Sequence, residues 1–374
     1  MGKTFLSFVV AIAMLWPAAV HAGPIVIPGS PNSSDAGFGV HLNLAGRHIQ
    51  QSLRAAGILQ LDWVAVDLDW ASSWPDASTQ PDIARLDAAM QFAGQNKLSV
   101  LLRLWHAPEW ARSGSGPDPE RTAWFVSNLV KRYAGILQAI ELFPQANTEY
   151  GWGTAPDPNA YSVLIKTVAD SLRETGVFLV AAGLTPLPSP QPSNLDIDDL
   201  VFLQDLYSTG TTEYLPVVSM CLPLATGDPL QSPRSEEHRV LRHYEEIRQV
   251  MLANDHESGL IWITQFNLPS GKINNNDVSY NNLSGQVQWM NQAYHQLRSQ
   301  LYIGVAFLTD INPPAATTTD SDTPLSLINA DLSQHPFYQK LKELAAISSP
   351  TKVILLDFNK PQSKNIVKVR ESPP

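Results

Sequence analysis

Glu141 and Gln145 stand four positions apart, so in an extended run both side chains face one way, with Glu141 two layers deeper. Asp67 and Asp69 share a face by the same alternation, and Glu149 and Asp157 follow in the stretch beyond Gln145. Carboxyls so placed could move protons or attack an acetal carbon, and the retaining form of that reaction needs two of them about 5–5.5 Å apart. The plainer use of each is structural, and for Glu141 it is a buried ion pair with Arg103. Other chemistries find less support. His41, His48 and His106 are scattered, with no i, i+4 pair around a Glu, so no metal is expected. No nucleophile elbow, phosphate loop or dinucleotide fingerprint occurs, and no cofactor is expected. The single cysteine, Cys221, rules out an internal disulfide and any multi-thiolate metal site. At a strand end it reads as a small buried hydrophobe.

These residues sit at the ends of regularly spaced elements. Strands are expected at Phe38–Leu42, Trp63–Leu68, Ser99–Leu104, Ala139–Phe143, Phe178–Ala182, Val217–Met220, Leu260–Phe266 and Tyr302–Leu308. Helical stretches such as Asp82–Asn96, Pro119–Tyr133, Pro158–Thr175, Glu236–Asn254 and Gly285–Gln300 lie between them. Most strands are near-continuous apolar runs, as a parallel sheet covered on both faces requires. Eight such units point to an α/β fold, a (β/α)₈ TIM barrel in one domain, rather than a doubly wound sheet. Long turn-rich connections follow most strands, where a barrel keeps its functional loops: Ala71–Pro81, Arg112–Pro119, Thr185–Asn194, Ala225–Pro233, Pro269–Asn282 and Asn312–Thr323.

The ten tryptophans give a positive argument for ligand binding. Trp70 and Trp74 follow the second strand, Trp105 and Trp110 the third, and Trp152 the fourth. Aromatic faces at a barrel mouth are surfaces on which pyranose rings stack. Trp110 and Trp152 are the candidates for that role, whereas Trp63, Trp124, Trp262 and Trp289 read as core or helix-packing residues.

The run Ala139–Asn147, then Tyr150-Gly151-Trp152 and Pro156–Tyr161, resembles the fourth-strand region of clan A glycoside hydrolases. It is most similar to their cellulase-like and β-xylosidase-like branches, which read Glu-x-Trp-Asn-Glu-Pro-Asn. Gly259–Phe266 resembles their seventh-strand Pro-x-Trp-x-Thr-Glu-Phe-Gly. Phe38–His41, Pro108–Ala111, Ser326–Ile328 and His335–Tyr338 extend the resemblance over about residues 37 to 344. It implies an eight-stranded barrel, a fourth-strand Glu as acid/base and a seventh-strand Glu as nucleophile.

At those two positions this chain carries Gln145 and Gln265. An amide keeps the size and a carbonyl acceptor but has no acidic proton and is a very poor nucleophile. General acid catalysis alone contributes roughly 10²–10⁴-fold. The resemblance also implies a 2-hydroxyl-binding Asn where Pro144 stands, a sixth-strand His where Cys221 stands, and an eighth-strand Trp where Thr309 stands. The expectation is therefore a glycoside-hydrolase-like protein without an intact catalytic residue. It would bind an oligo- or polysaccharide through Trp110, Trp152, Gln145 and Gln265, or serve as a structural or interaction part of the cell surface with a protein partner. The alternative is an active retaining glycosidase using displaced carboxylates: Glu149, Asp157, Asp67 or Asp69.

Residues 1–22 read as a cleaved secretory signal, with Lys3, an apolar Phe5–Val20 and Val20-His21-Ala22 before the cut. Residues 23–347 form the barrel, and 348–374 a tail able to add one edge strand at Val353–Phe358. No membrane span is expected after signal removal, and the protein is expected outside the cell or at its surface. The 374 residues carry a net charge of −10, which argues against a non-specific nucleic-acid binder.

Overall fold

The computed structural model describes residues 37–346 except 115, 188–192, 224, 226, 234–238, 268–281 and 315–324. Beyond that span it describes two short strands, Ile25–Ile27 and Ile354–Leu356, which pair antiparallel apart from the main sheet. The leader segment lies outside the described residues, as do large parts of the connections after the fifth to eighth strands.

Eight parallel strands close into a barrel. In chain order they are β1 (Gly37–Leu42), β2 (Trp63–Asp69), β3 (Ser99–Trp105), β4 (Leu137–Leu142), β5 (Phe178–Leu184), β6 (Val217–Leu222), β7 (Leu260–Phe266) and β8 (Ile303–Asp310). A helix follows each: α1 (Ile49–Leu59), α2 (Ala84–Gln95), α3 (Pro119–Arg132), α4 (Pro158–Leu172), α5 (Asp199–Ser208), α6 (Tyr244–Ala253), α7 (Leu283–Arg298) and α8 (Pro336–Ala345). This is the expected (β/α)₈ barrel. Helix starts are written locally: Asp118, Asp157 and Asp198 accept backbone N–H groups at the first turns of α3, α4 and α5, and Pro119 and Pro158 open α3 and α4.

The helix expected over Glu236–Asn254 is shorter. Among the described residues it is helical only from Leu241, because Val240 is extended and buried and sends the chain inward first. Trp124 is a second departure. Helix α3 buries Thr122, Ala123, Phe125, Val126, Leu129 and Val130, which leaves Trp124 on the opposite side and 53% exposed.

The floor of the barrel interior is filled by volume. Trp63 and Trp262 meet edge to face at 5.1 Å, with Leu101, Phe178 and Phe307 in the same cluster. Glycines make the room for these rings: a Cβ at Gly39 would stand 2.6 Å from the Phe307 ring, and one at Gly304 2.4 Å from the Trp262 indole nitrogen. Above this floor the interior changes character, and the site begins.

Candidate functional site

Register builds the first layer. Asp67, Arg103 and Glu141 are direct neighbours across β2, β3 and β4, so a minus–plus–minus row crosses three strands. Arg103 is fully buried and uses its whole fork. Its Nε donates to Glu141 Oε2 at 2.9 Å, Nη1 meets Asp67 Oδ1 at 3.3 Å, and Nη2 donates to Gln265 Oε1 at 3.1 Å and to Cys221 Sγ at 3.4 Å. Glu141 also accepts from Thr264 Oγ1 at 2.8 Å. The ion pair expected between Glu141 and Arg103 is thus present.

His41 on β1 extends the row sideways. Its Nε2 lies 3.0 Å from Asp67 and its Nδ1 2.7 Å from Asp310. Burial opposes a charge on this ring, but the two carboxylates outweigh it and raise His41 to about 9. Burial likewise works against the Asp67 anion, yet Arg103 and then His41 bring it down to about 2. Both ions are therefore charged near neutral pH.

Gln145 and Gln265 arrive by irregular backbone. Beyond β4, Phe143 and Gln145 adopt positive φ values of 50° and 62°, a region costly for side chains with a Cβ. The Gln145 N–H donates to Gly183 O at 2.7 Å, and Gly183 must lack a Cβ because Pro144 Cα would lie 2.7 Å from it. On β7 the register slips between Ile263 and Gln265. Such a bulge re-aims a side chain: Ile261 and Ile263 pack outward and Trp262 inward, yet Thr264 and Gln265 both serve the interior. The two amides converge on Cys221, whose sulfur is 3.9 Å from Gln145 Nε2 and 3.4 Å from Gln265 Oε1. Burial first of all pushes that thiol up to about 12, so it is neutral.

Above the amides opens a cleft of about 600 Å³, bounded by Asp67, Asp69, Trp105, His106, Gln145, Tyr150 and Gln265 together with Arg85 and Asp82. Asp69 Oδ2 and His106 Nδ1 are 2.7 Å apart. Partial burial would raise Asp69, but the hydrogen bonds from His106 and the Ser72 amide hold it below the usual carboxylate range. Tyr150 is 65% exposed and stands edge-on to His106 at 5.1 Å. The cleft thus offers one exposed aromatic ring, Tyr150, and a small part of the buried Trp105, beside carboxylate, imidazole and amide groups. A ligand with an apolar face and a polar rim suits it.

Trp152 is corrected by the structure. Expected as a stacking surface, it is 1% exposed and packs on Phe143 and Tyr161 at 6.1 and 5.5 Å. Residues two apart on a helix point nearly opposite ways, and the short helix Glu149–Trp152 turns Tyr150 outward and Trp152 inward. Trp110 is half-buried, edge-on to Trp70 and Trp74, and its Nε1 donates to Trp74 O at 2.9 Å; it borders the cleft region without lining it. Of the displaced carboxylates, Asp67 and Asp69 reach the cleft. Glu149 instead accepts from Ser193 at 2.9 Å, and Asp157 caps α4. Thr309 is buried and donates to Leu325 O at 2.7 Å, and His48, just before α1, bonds Ala330 O at 2.9 Å and does not line the cleft. Tyr150 and His106 are cleft residues that sequence patterns did not single out as ligand contacts, whereas Trp105 stood among the strand-end tryptophans. Among the described residues no group of three or more His, Cys, Asp or Glu side chains is placed to hold a metal ion.

No protein-family model matches the chain, and no curated protein sequence does. Solved structures do. A family 39 glycoside hydrolase from the gut symbiont Bacteroides cellulosilyticus superposes with a TM-score of 0.62 at 13% identity, over 87% of this chain and 68% of that one. A xylanase from Cellvibrio japonicus gives 0.53 at 18% identity, over 84% and 98%. A family 39 β-xylosidase from Caulobacter crescentus gives 0.55 at 11% identity, over 91% and 76%. At such identities the likeness is one of fold: a glycoside-hydrolase-type barrel.

Proposed function

We propose that the cleft binds pyranose-containing glycans and does not hydrolyse them. One observation carries this reading. The two side chains that converge at the centre of the mouth, Gln145 and Gln265, are amides on a neutral thiol; of the carboxyls that line the cleft with them, Asp67 and Asp69 are held low as anions, and Glu141, which burial raises, lies fully buried beneath and does not line the cleft. A retaining hydrolase needs one carboxyl that donates a proton and another that attacks; neither Gln supplies either function. Two of the superposed proteins are described as a xylanase and a β-xylosidase, which makes xylo-oligosaccharides, with cello-oligosaccharides for comparison, the first ligands to try. In this reading Tyr150, with the small exposed part of Trp105, gives the sugar its apolar contact, while Asp69, His106 and the two amides meet its hydroxyls. The apolar leader and Val20-His21-Ala22 add the proposal that the protein works outside the cell, with a mature start at Gly23.

Calorimetry with these oligosaccharides, alongside a glycan array, tests the reading. Saturable binding is expected, weakened about tenfold by Tyr150→Ala through loss of one stacked aromatic. Wild-type protein should not turn over activated aryl glycosides. Hydrolysis that survives Gln145→Ala and Gln265→Ala would overturn the proposal and move catalysis to Asp67 and Asp69. Absence of glycan binding above background would turn the cleft over to a protein partner.

A further inference from the structure

Outside the cleft a second group of indoles is stacked in steps from core to surface. Trp70 is buried and lies flat on Phe125, with ring centres 4.4 Å apart. Trp110 stands edge-on to Trp70 at 5.5 Å, and Trp74 edge-on to Trp110 at 4.9 Å. Outermost is Trp124, 53% exposed on α3, with its ring 5.8 Å from that of Trp74. Single exposed aromatics are ordinary. This one is the top of a column, and the rings beneath it are fixed: Trp74 Nε1 donates to Thr79 O and Trp110 Nε1 to Trp74 O, both at 2.9 Å. A ligand meeting such a surface orders little of the protein on arrival, so less of its binding energy is lost.

The column also continues the cleft. Ser72 and Ser73 line the cleft wall from the short helix Trp70–Ser73, and Trp74 caps its end, its N–H donating to Trp70 O at 2.8 Å. Helix α3 begins on the mouth side, as helices that follow barrel strands do, so Trp124 in its second turn stands beside that wall. Around the indoles the surface is polar, with Asp76, Ser78, Gln80, Glu120 and Asn128 all exposed. A flat apolar face within a polar field suits a sugar ring, which shows C–H groups on its face and hydroxyls at its edge.

We infer that Trp124, supported by Trp74 and Trp110, is an outlying contact for a glycan chain that leaves the cleft over Ser72 and Ser73. The ligand class is then polymeric: a pyranose chain long enough to span cleft and column, not a mono- or disaccharide. This inference rests on the proposed glycan binding in the cleft and adds a length requirement to it.

The test is calorimetry of wild type and Trp124→Ala with xylo- and cello-oligosaccharides from dimer to hexamer. Wild-type affinity should rise with chain length. Trp124→Ala should weaken the hexamer by about threefold to tenfold, the range for one aromatic stacking contact, and leave the dimer unchanged; Trp124→Phe should keep most of the hexamer affinity. Circular dichroism and unchanged dimer binding would show that the fold and the cleft are intact. Length-independent wild-type binding would overturn the inference while leaving the cleft reading standing. An equal loss for dimer and hexamer in Trp124→Ala, or no loss for either, would do the same. Failure of both series to bind wild type would overturn the two together.

Discussion

The floor and the mouth of this barrel are built from the same strands by opposite means. On β2, Trp63 fills the floor and Asp67, four residues on and on the same face, enters the charged row; β3 passes from Leu101 to Arg103, and β4 from Ala139 to Glu141. In the floor, order comes from shape, with glycines opposite large rings. In the mouth it comes from ion pairs and hydrogen bonds gathered around one guanidinium. The floor should tolerate a smaller ring at modest cost, because dispersion is lost contact by contact. The mouth should not tolerate loss of Arg103, which serves several acceptors at once.

The largest effect expected is that of Arg103→Met. It keeps the bulk but takes the guanidinium away from Glu141, Asp67 and the Gln265 carbonyl, and breaking a buried ion pair costs about 3–5 kcal/mol. Urea denaturation should place this variant near the upper end, and a value below that of any floor variant would break the contrast. Trp262→Ala should follow at about 3–4 kcal/mol, whereas Trp262→Phe should retain most of that stability.

Protonation sharpens the comparison next. His41 is raised to about 9 from an ordinary value of 6.5, so its contribution is complete below about pH 6.5 and lost as pH climbs through 9. Outside the cleft, His243 is raised to about 9 as well, against its burial, by Asp199 and Glu246. Each accounts for at most about 3 kcal/mol. Urea melts at pH 6 and pH 9.5 should therefore show a fall that His41→Gln roughly halves. Asp67, lowered to about 2, adds stability that is lost only as pH falls from the ordinary carboxylate range towards 2.

The smallest stability change is expected for Gln265→Glu, within about 1 kcal/mol, because the new carboxylate would meet Arg103 Nη2 where the amide oxygen now lies at 3.1 Å. Its chemical readout is larger. An activated leaving group departs without protonation, so this variant should form a covalent adduct with a fluorinated activated glycoside, detectable by mass spectrometry. Adding Gln145→Glu should speed release of that adduct, since a carboxylate can activate water. An adduct in wild type would show that the mouth is still armed by some other residue.

The barrel was legible in the sequence because its signals are local: apolar runs of strand length, Asp-Pro pairs at helix starts, and spacing that repeats. The Glu141–Arg103 pair was legible too, since strict alternation holds over β4 and β3. Gln265 was not reachable by alternation, which would have pointed it outward with Ile261 and Ile263; only a bulge brings it in. Gln145 depends on two positive φ values that no side-chain pattern announces. The error over Trp152 has a related origin. Tyr150 and Trp152 lie on opposite sides of one turn, and the sequence marks both as aromatic without saying which is packed under Gly116, where a Cβ would stand 2.4 Å from the Trp152 ring.

Cys221 makes the mouth its own timepiece. The chain has no other thiol, and this one is buried behind both glutamines with its proton firmly held. A thiol reagent added to the folded protein must wait for the strands around it to part. The rate of labelling would then count those openings, and comparing it with and without a bound oligosaccharide would show how far a ligand in the cleft holds the end of the barrel shut.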